Sequence, residues 1–271
     1  MSRLRHIARV CFAFTVVSAA QTIQTTPVSD PQALNLAAQS IAAMTGKISV
    51  TDVTLNATVT SIAGSDYFTG TAVLQAKGAG ESRIDLSLAD TVRSEIRTNA
   101  GGAPKGAWIR SAATDISSAA PQSYALHNCW TDAAWFFPVL TSLSQTSNSK
   151  FVFSYLGPET HADFKAEHIR VYQVFALDTK GLLQVKRLSA MDYYLDPTTL
   201  FPLAIGFTAH PDTDLTTDIQ MEVRFADYRP VNGVQIPFHV QKLLNGGVTL
   251  DLSVGNAVLN SGLGDSIFDV Q

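Results

Sequence analysis

Three consecutive segments near the C-terminus alternate apolar and polar positions with period two. Ile219, Met221, Val223 and Phe225 fall on one side of the first, with Gln220, Glu222 and Arg224 on the other. Val234, Ile236, Phe238 and Val240 mark the second, and Val248, Leu250, Leu252 and Val254 the third. Successive side chains of a strand point to opposite faces, so each segment carries one apolar and one polar face. Asn232-Gly233 and Asn245-Gly246 join the segments, and Asn-Gly tolerates the positive φ angles of a type I′ turn. The pattern predicts an antiparallel meander whose apolar face must be covered.

The same alternation runs through the first half. Val53, Leu55, Ala57 and Val59 interleave with threonines and Asn56, and Gly64-Ser65-Asp66 turns into a strand over about 67–77. Ile84, Leu86 and Leu88 mark a third strand, residues 92–98 a fourth, and a short one surrounds Trp108. Short polar turns between neighbours favour a meander over βαβ units. After residue 148 strands resume at 151–156, 169–178 and 189–195, with Asp196-Pro197 and Phe201-Pro202 marking a turn. Residues 111–123 are Ala/Ser-rich and read as loop.

Two stretches change period. Asp30-Pro31 supplies an N-cap and a first helical position. Leu34, Ala37, Ala38, Ile41 and Met44 follow at helical spacing, and Gly46 provides the stop. In the middle of the chain Leu126, Cys129, Trp130, Ala133, Phe137 and Leu140 recur at three- and four-residue steps, and Trp135, Phe136, Val139 and Leu143 widen the apolar surface. This predicts a second, strongly apolar helix that Pro138 kinks or divides. Helices that interrupt one long antiparallel sheet pack onto its apolar face, and a sheet this long curls around them. The expected fold is mainly β (α+β): a single large curved antiparallel sheet forming a half-open barrel, with helices plugging its concave face. No repeat or linker divides residues 31–271, which read as one domain.

The 271 residues are 46% hydrophobic and 15% charged, with a net charge of −4, so no basic footprint for nucleic acid is present. Arg3, Arg5, His6 and Arg9 precede a short apolar run, Val10–Val17, and then Ser18-Ala19-Ala20. That is an export signal with its cleavage site, and the run is too short to span a membrane. The expectation is a periplasmic or secreted protein beginning near Gln21, after removal of residues 1–20, with 21–30 a flexible leader and no transmembrane segment. Cys11 leaves with the signal, and Cys129 alone makes no internal disulfide. His127-Asn128-Cys129 has the residue types of a thiol triad, but triad partners meet in space rather than in sequence, so Cys129 reads as an inert buried thiol.

Other constellations are weaker. Gly264-Asp265-Ser266 matches the nucleophile block of GDS-type esterases, yet too few residues follow for the strand-to-helix turn such a serine needs. His161, Asp163, Glu167 and His168 carry ligand atoms, but their stretch reads as a solvated polar hairpin. Asp212, Asp214 and Asp218 near His210 lack the Gly and terminal Glu of an EF loop. His239 is expected to face solvent. No Gly-rich phosphate loop appears, and no metal or cofactor is implied. Asn56-Ala57-Thr58 is a formal glycosylation sequon.

The order of elements resembles the Lol-type lipoprotein carriers, LolA and LolB, and their outer-membrane lipoprotein-sorting relatives. The likeness rests on Leu195-Asp196-Pro197-Thr198-Thr199 ahead of Pro202, on Phe225 to Phe238 with its Asp227-Tyr228-Arg229-Pro230 core, and on the ending Leu259 to Phe268. Asn128 to Pro138 also resembles a block of uncharacterised exported bacterial proteins of this shape. What the resemblance implies is a non-enzymatic periplasmic carrier that holds acyl chains or a lipoprotein's lipid between the concave sheet and a helical lid. The candidate ligand contacts are Trp130, Trp135, Phe136, Phe137 and Leu140 on the lid, with Leu55, Val59, Phe225 and Phe238 on the strands. The aromatic residues either fill the core, form the lid, or do both. Lol carriers latch their lid with a strand arginine; Arg97, Arg110 and Arg224 all qualify, and none sits in a matching motif. The alternative is an envelope sensor or scaffold that uses the same half-barrel to bind a protein partner.

Overall fold

The computed structural model describes residues 27–89, 91–99, 102–112, 119–175 and 179–270. The expected export signal, most of the expected leader and part of the Ala/Ser-rich stretch lie outside the described residues. The first helix, α1 (Pro31–Thr45), begins where the Asp30 carboxylate accepts the Gln32 N–H at 2.8 Å and ends at Gly46, whose φ is +61°. Thirteen strands follow: β1 (Asp52–Ala63), β2 (Asp66–Lys77), β3 (Glu81–Leu88), β4 (Val92–Thr98), β5 (Lys105–Ser111), β6 (Gln122–Ser123), β7 (Phe151–His161), β8 (Phe164–Gln173), β9 (Met191–Leu195), β10 (Pro202–Ala209), β11 (Ile219–Val231), β12 (Val234–Leu244) and β13 (Gly247–Leu259). A second helix, α2 (Thr179–Ser189), lies between β8 and β9.

All thirteen strands join one open sheet in the order β6-β5-β4-β3-β2-β1-β13-β12-β11-β10-β9-β8-β7. Two meanders run outward from the antiparallel β1–β13 pair, whose register sets Val53 against Leu259 and Val59 against Leu252. The meander predicted for residues 219–254 is β11–β13. Asn232 and Gly233 have φ of 49° and 86°, Asn245 and Gly246 of 47° and 81°, as type I′ turns require.

The sheet is strongly curled. Thr131 and Trp130 are neighbours in sequence, yet the Thr131 carbonyl accepts from Arg97 Nη2 on β4 and the Trp130 carbonyl from Gln173 Nε2 on β8, both at 2.9 Å. Strands near opposite ends of the order therefore reach one short segment. One core fills the inner face: Val53, Leu55, Ala57 and Val59 with Leu74, Ile169, Val171, Val223, Ile236, Val240 and Leu252. Ala33, Ala37 and Met44 of α1 pack into it.

Two expectations are corrected. The apolar stretch around Pro138 is not a kinked α-helix but three short 3₁₀ turns, Leu126–Cys129, Pro138–Leu140 and Ser142–Ser144. An amphipathic helix keeps one face in water, whereas every residue from Thr131 to Leu143 is buried. Such a run needs local partners for its backbone, which the Phe137→Ala134 and Leu140→Phe137 bonds of 2.9 and 3.0 Å supply. Second, β8 stops at Gln173, short of the strand to 178 that was expected, of which 176–178 lie outside the described residues, and α2 follows from Thr179, where no helix was expected. Its buried Val185 and Leu188 pack outside the main core, beside Tyr172, whose ring lies 4.6 Å below Lys186 Nζ. Among the described residues, α1 and the 3₁₀ segment occupy the inner face, and α2 sits on the outer one. No helix among the described residues is long and apolar enough to cross a membrane.

Candidate functional site

Beyond the packed core, the inner face opens into two adjoining cavities of about 520 and 190 Å³, the larger within the range of small-molecule sites. Both are lined by Glu95, Tyr124, Trp135, Met221 and Lys242. The larger adds Ile84, Leu86, Trp108 and Leu250, together with Arg93 and Arg110; the smaller adds Arg97. Strand register explains the mixture. Ile84 faces Glu95, Leu86 faces Arg93, and Glu95 in turn faces Trp108, so one side of β3–β5 is apolar on β3 and charged on β4. On β12, Lys242 continues the series Val234, Ile236, Phe238 and Val240 at the place where an apolar residue is expected.

Lys242 is half-buried, with Nζ 4.3 Å from the centre of the Trp135 ring, a cation–π contact worth about 1 kcal/mol. Desolvation holds its ammonium below the usual lysine range; Glu95 opposes that shift, and Arg97 and Arg93 reinforce it. Burial, then the neighbouring Glu95 carboxylate, pushes the Tyr124 phenol well above its ordinary value.

Trp135 belongs to the buried 3₁₀ segment, which a polar network ties to the sheet. The Asp132 carboxylate accepts from Ser142 N and Ser142 Oγ at 3.0 Å each and from the Tyr193 hydroxyl of β9. Desolvation raises the Asp132 pKa against those hydrogen bonds. Arg97, 7% exposed, holds the same segment from the opposite arm through Thr131. Of the three candidate latch arginines, Arg97 reaches the plug. Arg110 is exposed at the cavity wall, and Arg224 lies on β11 bonded to Glu222.

Trp135 lines both cavities, whereas Trp130 lines a separate cavity of about 340 Å³ near Phe175, which it meets edge-on at 5.0 Å. Leu55, Val59, Phe136, Phe137, Leu140 and Phe225 come together in the core, and Phe238 packs against it beneath the Arg229 guanidinium. Lys242, Glu95, Arg93, Tyr124, Asp132 and Tyr193 were not among the candidates. Lys242 alone left a signal, by falling in register with the apolar positions of its strand.

The other constellations resolve differently. On the outer face, Tyr194 lies between His161 and His168, with ring centres 3.7 and 4.5 Å away. His161 meets Glu222 and His168 meets Asp192, both at 2.9 Å, while Glu167 bonds Tyr155 elsewhere. Gly264-Asp265-Ser266 starts a 3₁₀ turn that seats buried Phe268 and pairs Asp265 with Lys77. Burial raises the Cys129 pKa, which keeps the thiol protonated and unreactive. His239 is partly exposed and meets Asp251 at 2.9 Å.

Solved structures share this architecture. An outer membrane lipoprotein-sorting protein domain from Vibrio parahaemolyticus matches with a TM-score of 0.55 at 12% identity, over 88% of this chain and 96% of that one. A DUF1329-family protein from Desulfovibrio piger matches with a TM-score of 0.53 at 13% identity, over 90% of this chain and 98% of that one. The fold is LolA-like. No family model matches the sequence, and no curated protein does. The cavities lie where the curled sheet is not filled by the 3₁₀ plug.

Proposed function

We propose that the protein is an exported, non-enzymatic carrier for a hydrophobic ligand, an acyl chain or the lipid of a lipoprotein, held between the inner sheet face and the aromatic plug. The observation that carries this reading is the cavity of about 520 Å³ walled by Ile84, Leu86, Trp108 and Leu250 and closed on one side by Trp135. The name of the Vibrio neighbour, a lipoprotein-sorting domain, supports the ligand class. The basic and apolar N-terminus supports export and a periplasmic site of action, with residues 31–271 as one half-barrel domain. Trp135 is the first-choice ligand contact. The core aromatics Phe136 and Phe137 serve as lid residues that yield when a chain enters.

Native mass spectrometry of the exported protein, purified without detergent, tests the reading. An adduct of lipid mass that leaves on denaturation supports a carrier. A clean mass, with no uptake of added fatty acid or phospholipid, replaces the carrier with a scaffold that binds a protein partner.

A further inference from the structure

The described residues include eight arginines, and their pairing divides them cleanly. Arg83, Arg170, Arg187, Arg224 and Arg229 each meet a carboxylate within ion-pair distance. Arg93, Arg97 and Arg110 do not, and these are the three that line the adjoining cavities. Lys242 joins them, again with no carboxylate in ion-pair distance among the described residues. The lining thus holds four cations and one carboxylate, Glu95, in a chain whose net charge is −4.

A buried or half-buried cation without a counter-ion is costly, because water is removed and no partner replaces it; that cost falls on Arg97 and Lys242, while Arg93 and Arg110 are exposed beside them. Arg97 satisfies part of its guanidinium on the Thr131 carbonyl, and Lys242 rests on the Trp135 ring, but neither contact neutralises charge. Trp135 adds a buried Nε1–H that no acceptor among the described residues meets. The same walls hold apolar side chains, Ile84, Leu86 and Leu250 on one side of the charged positions of β4 and Trp108 on the other. A neutral lipid satisfies these side chains and leaves the cations unmatched. An amphiphile with an anionic head satisfies both.

We propose that the ligand is an anionic amphiphile, its carboxylate or phosphate head among Lys242, Arg93 and Arg110 and its chain along Ile84, Leu86, Trp108 and Leu250. The inference rests on the carrier reading and narrows it, since a thioether-linked diacylglycerol carries no such charge. Lys242 is the specificity-determining residue because it is the least exposed to water of the three head contacts.

The test is calorimetric titration of the delipidated protein with four sixteen-carbon probes below their micellar concentrations: hexadecanoate, hexadecyl phosphate, hexadecanol and hexadecyltrimethylammonium. Both anions are expected to bind at least about tenfold more tightly than the alcohol, and the cation more weakly still. The ratio of the two anions decides between fatty acid and phosphate-headed lipid. Lys242→Met is expected to lower anion affinity by about tenfold and leave the alcohol unchanged. Arg93→Gln, at an exposed position, gives a smaller loss of the same kind if the first variant folds poorly. Equal binding of hexadecanol and hexadecanoate overturns the anionic head and leaves the carrier. Binding of none of the probes overturns both.

Discussion

Charged residues cluster on both faces of the sheet, under opposite rules. On the outer face of β8–β11 the charges are matched. Asp192 accepts from Arg170 Nε and Nη2 at 2.7 and 2.9 Å and meets His168 at 2.9 Å, while Glu222 bonds His161 and Arg224. A cavity of about 420 Å³ opens beside this cluster, lined by Arg170, Arg187, Asp192 and Glu222, which are ion-paired, and by Lys186, which rests on the Tyr172 ring. On the inner face Arg93, Arg110 and Lys242 meet no carboxylate in ion-pair distance among the described residues. A matched cluster is explained by the stability it gives the sheet. An unmatched one in a half-buried cavity is explained by what comes to it.

Removing a charge separates the two cases. Asp192→Ala strands Arg170 and His168, and is expected to cost about 3 kcal/mol in urea unfolding. A cost below about 1 kcal/mol breaks the comparison, because the outer cluster would then be no more structural than a surface ion pair. Arg97→Met is expected to cost about 2 kcal/mol, since it removes a charged hydrogen bond to the Thr131 carbonyl. Amide exchange should quicken over residues 131–143 and stay unchanged on β8–β11, which locates the loss in the plug. Lys242→Met is expected to change stability by less than about 0.5 kcal/mol, or to raise it, despite the lost contact with Trp135. A loss as large as that of Asp192→Ala would make Lys242 a structural residue and remove the contrast between the faces.

The strands were legible because period-two alternation and Asn-Gly turns act locally. Val53 to Val59 and the 219–254 meander needed no tertiary information. The plug was misread because Leu126 to Leu140 does have helical spacing. What overrides it is burial on all sides, a property of the sheet that encloses it. Helix α2 escaped notice since Gly181 and three charged residues, Lys180, Lys186 and Arg187, dilute its apolar face, and its buried Val185 and Leu188 stand out only once the helix lies on β8. For the site, the apolar wall was readable as strand faces. Arg93 and Glu95 on β4 were not, because only pairing with β3 shows that they share a face with Leu86 and Ile84.

Acid and alkali should act on the two faces separately. Burial works against ionisation of Asp192, but His168 and Arg170 outweigh it and hold its carboxyl below the usual value; Glu222 is held down in the same way by Arg224 and His161. Stability from these two is therefore fully present above the unfolded carboxylate value, about 4, and is lost as pH falls through their depressed folded values. Lys242 is depressed in the other sense: the unfolded chain binds its proton over a range in which the folded chain does not. Stability then rises with pH between the depressed value and the ordinary lysine value near about 10.4. Unfolding free energies measured across pH should show an acid slope that Asp192→Asn flattens and a smaller alkaline slope that Lys242→Met removes. The alkaline limb carries a further consequence for the cavity. As Lys242 loses its proton the unliganded protein gains stability while affinity for hexadecanoate falls, and hexadecanol affinity stays level. If both probes weaken together at high pH, the cavity is responding to its apolar walls, and the charge on Lys242 has no part in choosing the ligand.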